Sequence, residues 1–170
     1  MIDNEVSICK VHTEQQPLNE YEQLKNSWLF RDCSLSMRSY LSKIAWVWVL
    51  SWFIAGPVAY SSFPPHKYAA KFVLCGAAGA SIGVVLLVLR LYLGWSYVSD
   101  RLVSPVIFYE ESGWYDGQNW MKPQQVLDRD RLVVNYEIKP IIQRLQITSL
   151  CLVMLFVALF VAGIAIWQFL

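Results

Sequence analysis

The chain has 170 residues, 56% of them hydrophobic and only 16% charged, with a formal net charge of +1, whereas an average soluble domain carries about 45–50% apolar and about 25% charged residues. A charge so small and so balanced, without any long run of Lys or Arg, excludes a phosphate-tracking surface and with it nucleic-acid binding. Aromatic residues reach 15%, with eight Trp and nine Tyr, which suits a chain that meets two membrane interfaces, where amphipathic rings settle.

Residues 1–43 hold eleven charged side chains and no long apolar run, which predicts an arm outside the bilayer. Its start, Met1-Ile2-Asp3-Asn4-Glu5, lacks the basic and apolar regions of a signal peptide and is too acidic for a transit peptide, so the first span is expected to direct insertion. Within the arm, residues 17–28 place Leu18, Tyr21, Leu24 and Trp28 at three- and four-residue spacing, the mark of a short amphipathic helix. Ser34 or Ser36 is positioned to cap the turn that follows. Residues 44–62 contain no charge and predict a first transmembrane helix, extended to the interfaces by Leu41 and Phe63 and kinked or terminated by Pro57. Residues 63–68 then form a Pro-rich exposed turn.

Residues 69–90 predict a second span, apolar to Leu89 apart from Lys71 at its entrance, and the helix is expected to continue as a stalk to about residue 104, before Pro105. From 105 to 144 the character changes. Residues 106–111 read as a strand, Ser112-Gly113 as a two-residue turn and residues 114–120 as the partner strand. Pro123 opens a helix over residues 124–139 that ends before Pro140. Residues 145–170 predict a third span. The expected fold class is an α-helical integral membrane protein, with three transmembrane helices and a small β-hairpin plus helix inserted between the second and third.

Basic residues near the ends of spans stay on the cytoplasmic side. Lys10, Lys25, Arg31, Arg38 and Lys43 lie in the arm; Arg101, Lys122, Arg129, Arg131, Lys139 and Arg144 lie in the polar domain, with Arg90 at its edge; the first loop has only Lys67 and Lys71. Arm and polar domain are therefore expected to share the cytoplasmic or stromal side, with the His66 turn on the other.

Neither His12 nor His66 lies in a span, so haem or another cofactor held by membrane histidines is not expected, and no second ligand stands at a metal-site spacing. The spans lack ionisable residues away from their ends, which argues against a pump or proton-coupled transporter. Cys9, Cys33, Cys75 and Cys151 form no CxxC pair and read as structural thiols. Gly76, Gly79, Ala80 and Gly83 form one small-residue stripe on the second span, and Ala158, Ala162 and Gly163 offer another on the third; such stripes serve packing among the chain's own helices or docking of a partner helix.

The richest polar cluster surrounds Glu110, Glu111 and Asp116. A general acid needs burial to raise its pKa, and this segment reads as exposed hairpin without a Ser, Cys or His at catalytic spacing. No catalytic residue is expected, although a membrane enzyme using these carboxylates and a small channel subunit stand as alternatives. The aromatics beside the acids, Trp114, Tyr115 and Trp120, together with Tyr21 and Trp28 of the arm, make a candidate partner interface. The same rings also suit a miniature core packing arm against hairpin, which a domain of about 50 residues needs.

Four ordered blocks, Glu14-Gln15-Gln16-Pro17-Leu18-Asn19-Glu20-Tyr21, Ile54-Ala55-Gly56-Pro57-Val58-Ala59, Leu91-Tyr92-Leu93-Gly94-Trp95-Ser96-Tyr97 and Tyr109-Glu110-Glu111-Ser112-Gly113-Trp114-Tyr115-Asp116-Gly117-Gln118, carry a resemblance. Over about residues 9–145 the chain resembles the membrane proteins of cyanobacteria and plastids first known as hypothetical chloroplast open reading frame thirty-six. The resemblance implies a thylakoid setting and a role connected with photosynthesis, and it carries over no catalytic residue. It makes an auxiliary or assembly factor the leading expectation, touching membrane lipids and subunits of a photosystem or another thylakoid complex.

Overall fold

A computed structural model describes residues 16–34, 36–110 and 117–169. In chain order the elements are α1 (Pro17–Asn26), α2 (Arg31–Ser34), α3 (Met37–Ser62), α4 (Pro65–Val103), β1 (Val106–Glu110), β2 (Gly117–Met121), α5 (Gln124–Val133), a π-helical turn (Val134–Ile138) and α6 (Lys139–Phe169). They divide into two compact units. The polar unit comprises the described part of Met1–Ser34 with Leu93–Ile142, and the helical unit the described part of Leu35–Tyr92 with Gln143–Leu170.

In the helical unit, α3 starts at Ser36, whose hydroxyl accepts the Ser39 N–H at 3.3 Å and so satisfies one of the orphan donors of the first turn. Pro57, expected to kink or terminate this helix, does not end it, and the helix runs to Ser62. It removes one backbone bond, but the last turn closes beyond it through Phe63 N–H to the Ala59 carbonyl at 2.8 Å and Ser61 Oγ to the Val58 carbonyl at 2.8 Å. Pro65 opens α4, and Tyr68, at φ −135° and ψ 52°, kinks it before the main helix begins.

The small residues of α4 admit α3. The Trp52 indole lies over Gly76, where a Cβ would meet it at 2.5 Å, Ala55 sits against Gly79, and Ser51 against Gly83. Ala80 is fully buried. On α6, Ala158 is exposed, Ala162 half-buried, and Gly163 faces open space. Tyr40 ties α3 to α6 by donating to Thr148 Oγ1 at 2.9 Å. Among the described residues, three helical runs are long and apolar enough to cross a membrane: Met37–Ser62, Pro65–Val103 and Gln124–Ile166. No residue in the apolar window of the last is buried by the protein.

In the polar unit, β1 and β2 pair antiparallel with Ile107 opposite Trp120, Phe108 opposite Asn119 and Glu110 opposite Gly117. A two-residue turn at Ser112-Gly113 would set Phe108 opposite Gly117 instead. The observed register is shifted by two residues, and the expected turn at Ser112-Gly113 lies outside the described residues. A shift of two preserves which residues share a face, because side chains alternate with period two.

The helix after Pro123 also differs from expectation, since it does not end before Pro140. It widens at Val134–Ile138, where the Lys139 N–H reaches back five residues to the Val134 carbonyl, and α6 continues at once. Pro140 then occupies the first turn of the new helix, where a missing N–H costs little. The π turn is thus the junction that lets one helical run contain an internal proline.

Candidate partner interface

The last turn of a helix leaves carbonyls without partners and carries the negative end of the helix dipole. At the end of α4, Lys122 meets both needs. Its ammonium donates to the Arg101 and Leu102 carbonyls at 3.1 and 2.9 Å and to Asp130 Oδ2 at 2.9 Å, using all three of its donors. The side chains of Lys122 and Asp130 are 0% and 3% exposed. Asp130 Oδ1 makes no hydrogen bond but has the Arg129 guanidinium at 3.6 Å. Because Lys122 follows β2 and Asp130 lies on α5, this one ammonium ties hairpin, helix and stalk together. The Lys122 N–H adds a bond to the Pro105 carbonyl at 2.9 Å.

The arm packs on the same stretch of α4. Trp95, wholly buried, has the ring of Tyr21 at 6.1 Å, tilted, and that of Phe30 at 6.3 Å, edge-on, both favoured aromatic geometries. Cys33 is buried as well. Polar links surround this core. Arg101 donates to Glu20, the Tyr21 hydroxyl donates to Glu137, and Lys25 approaches the same Glu137 oxygen at 2.6 Å.

Burial pushes the Glu20 carboxyl above its ordinary pKa, against the opposing pull of Arg101. The Lys25 hydrogen bond, helped by the Tyr21 hydroxyl, holds Glu137 below the usual carboxylate range and raises Lys25 in turn. Burial raises the Tyr21 phenol, and its bond to Glu137 adds to this. The side-chain bonds among Glu20, Arg101, Tyr21, Lys25 and Glu137 make the cluster a clamp on the arm. Among the described residues no group of three or more His, Cys, Asp or Glu is placed to hold a metal.

The residues expected at a partner interface divide. Tyr21 is 5% exposed and belongs to the core around Trp95, so it is withdrawn from any docking surface. Its partner is the stalk, where the miniature-core alternative had paired arm with hairpin. Trp28 is 78% exposed. Trp120 is half-buried on the inward face of β2, opposite the buried Ile107. Glu110 ends β1, while Glu111, Trp114, Tyr115 and Asp116 lie outside the described residues.

The structure adds residues that sequence reasoning missed. On the outward face of the hairpin, Phe108 and Met121 are diagonal neighbours, 71% and 75% exposed. Leu132 and Tyr136, four residues apart, are 55% and 78% exposed. The strand Val106-Ile107-Phe108 is apolar throughout, so hydropathy alone does not say which side faces outward. Lys122 had no local signal, since the end of α4 that it caps lies 20 residues earlier in the chain.

The fold is mostly helical, with three helices among the described residues that are long and apolar enough to cross a membrane and a small two-stranded hairpin. The chain belongs to the CGLD27-like family, conserved in the green lineage and diatoms 27, whose model matches residues 9–151. The resemblance to chloroplast open reading frame thirty-six is thereby established. The ycf36 protein of Porphyra purpurea is 46% identical over 144 residues, covering 85% of this chain and 87% of that protein. The Cyanophora paradoxa ycf36 protein is 38% identical over 142 residues, covering 84% and 89%. The Arabidopsis thaliana protein named Conserved in the Green Lineage and Diatoms 27, chloroplastic, is 44% identical over 156 residues, 91% of this chain but 48% of that protein, so the chain spans about half of its length. No solved structure matches.

Proposed function

We propose that this chain is a three-span membrane protein of the thylakoid, in a plastid or a cyanobacterium, and a non-catalytic auxiliary or assembly factor that acts by contact with a photosynthetic complex. The observation that carries the membrane reading is the outward surface of its long helices. Trp46, Phe53 and Ile54 on α3 and Met154 and Phe160 on α6 are 63–77% exposed, an apolar area that water does not tolerate on a monomer. The setting rests on kinship: one relative's name places that relative in the chloroplast.

The contact reading rests on the polar unit. Its buried charges engage one another, and the outward hairpin residues Phe108 and Met121, with Trp28 and Tyr136, are the most exposed of its large apolar side chains. Interface anchors of this size typically account for about 2 kcal/mol or more each. Affinity purification of the tagged full chain from solubilised thylakoids tests the proposal. The double variant Phe108→Ser/Met121→Ser is expected to accumulate normally and to lose most of the co-purifying complex. Undiminished recovery of the same complex by that variant would overturn the contact surface.

A further inference from the structure

The small-residue stripe of α4 is occupied by α3, so α6 faces a bulkier side of the same helix. The two do not close on each other. Between them lies a cavity of about 530 Å³, walled by side chains such as Val88, Leu152 and Phe156, with Tyr92, Gln146 and Ser149 at one end. The Ser149 hydroxyl is engaged by the Gln146 backbone carbonyl at 2.8 Å. Among the described residues, neither the Tyr92 hydroxyl nor the Gln146 carboxamide has a hydrogen-bond partner.

The dimensions select an occupant. Along α6 the cavity runs from Leu145 to Phe156, about 16 Å at 1.5 Å per residue, or roughly half of a hydrocarbon core about 30 Å thick. Dividing 530 Å³ by that length and allowing for the radius of a water molecule at each wall gives a half-open groove about 9 Å across, narrower than a helix of about 10–12 Å and wide enough for one extended hydrocarbon chain. On the membrane-spanning reading above, its polar end at Gln146 falls near the interface, where a lipid's ester and headgroup atoms lie, and its apolar end at Phe156 falls deeper in the hydrocarbon.

We propose that this cavity is a binding site for one acyl chain of a bilayer glycerolipid from the leaflet at the Tyr92 end, with the Gln146 carboxamide and Tyr92 hydroxyl hydrogen-bonded to its ester or headgroup oxygens. The site rests on the membrane-spanning reading above. A second apolar space of about 760 Å³ continues past Phe156 along Leu74, Cys75 and Gly163. It has no comparable amide or hydroxyl in its lining, so retention of lipid is specific to the first cavity.

The test uses the full chain in phosphatidylcholine vesicles doped with a phosphatidylcholine that carries a photoreactive diazirine on its acyl tail, with cross-linked positions mapped by peptide mass spectrometry. Labelling is expected to concentrate on Val88, Leu152 and Phe156, above the outward residues Leu150 and Met154. The shape-preserving variant Gln146→Leu/Tyr92→Phe should lower that labelling about tenfold, the worth of one well-made hydrogen bond. Val88→Trp, which fills the cavity, should do the same. Equal labelling of inward and outward residues, or wild-type labelling of the Gln146→Leu/Tyr92→Phe variant, would overturn the site. Release of the chain from membranes by alkaline carbonate would instead sink the membrane reading, so the two failures are separate.

Discussion

Lys122 shows how one side chain can hold three elements. An ammonium with no exposed surface is costly unless every donor is used and a counter-charge is adjacent, and here two α4 carbonyls and Asp130 supply both conditions. Lys122→Met removes the charge while keeping most of the volume. It strands the Asp130 carboxylate in a buried site and leaves the α4 carbonyls uncapped, so a loss of about 3–5 kcal/mol is expected, the usual cost of breaking a buried pair from one side. Lys122→Met/Asp130→Leu should recover part of this, because the stranded carboxylate is gone while the uncapped carbonyls remain. Thermal unfolding of the detergent-solubilised variants, followed by circular dichroism, measures both. A double variant no more stable than Lys122→Met would show that the carboxylate is not what makes the single change costly.

At the scale of elements, α3 and α4 are fitted through specific close approaches. A Cβ on Gly76 would lie 2.5 Å from the Trp52 ring, whereas one on Gly163 of α6 would meet nothing within 4 Å. Gly76→Leu is therefore expected to force the Trp52 ring aside and cost about 1–3 kcal/mol, while Gly163→Ala should stay within about 0.5 kcal/mol of the parent, both read from thermal stability in detergent. The long apolar runs were readable in the sequence because length and absence of charge are local properties. The hairpin was readable as a pair of strands, but its register was not, since the Ser112-Gly113 turn signal competed with pairing of Ile107 against Trp120. Pro140 looked like a stop because propensity counts the lost N–H, and the π turn before it is not visible to propensity; for Pro57 the sequence left kink and termination open, and the bonds that close the turn beyond it decide against termination. The Tyr21 environment was hidden for a different reason. An amphipathic face announces that something covers it without saying what, and Trp95 is 74 positions away in the chain.

For the whole molecule, the polar unit constrains the path of the chain. Arm residues Glu20, Tyr21 and Phe30 touch Arg101, Glu137 and Trp95, all within one compact unit, although α3 and most of α4 intervene in the sequence. If both helices cross a bilayer, the chain must leave on one face and return to it, which places arm and hairpin on the same side after two crossings and the end of α6 on the other after a third. The placement of basic residues supports the same arrangement by independent physics, since Lys and Arg resist translocation, and the proposed topology puts the shared side towards the cytoplasm or stroma. Cysteine labelling in sealed vesicles of known orientation tests the arrangement, with Cys9, Cys33, Cys75 and Cys151 replaced by Ala. Asn119→Cys, exposed on β2, is expected to react with a membrane-impermeant maleimide from the cytoplasmic or stromal side. Ser62→Cys, exposed at the end of α3, should react only once the vesicles are opened. Reaction of both positions from the same side would mean that α4, which separates them in the chain, does not cross, and the three-span arrangement would fail with it.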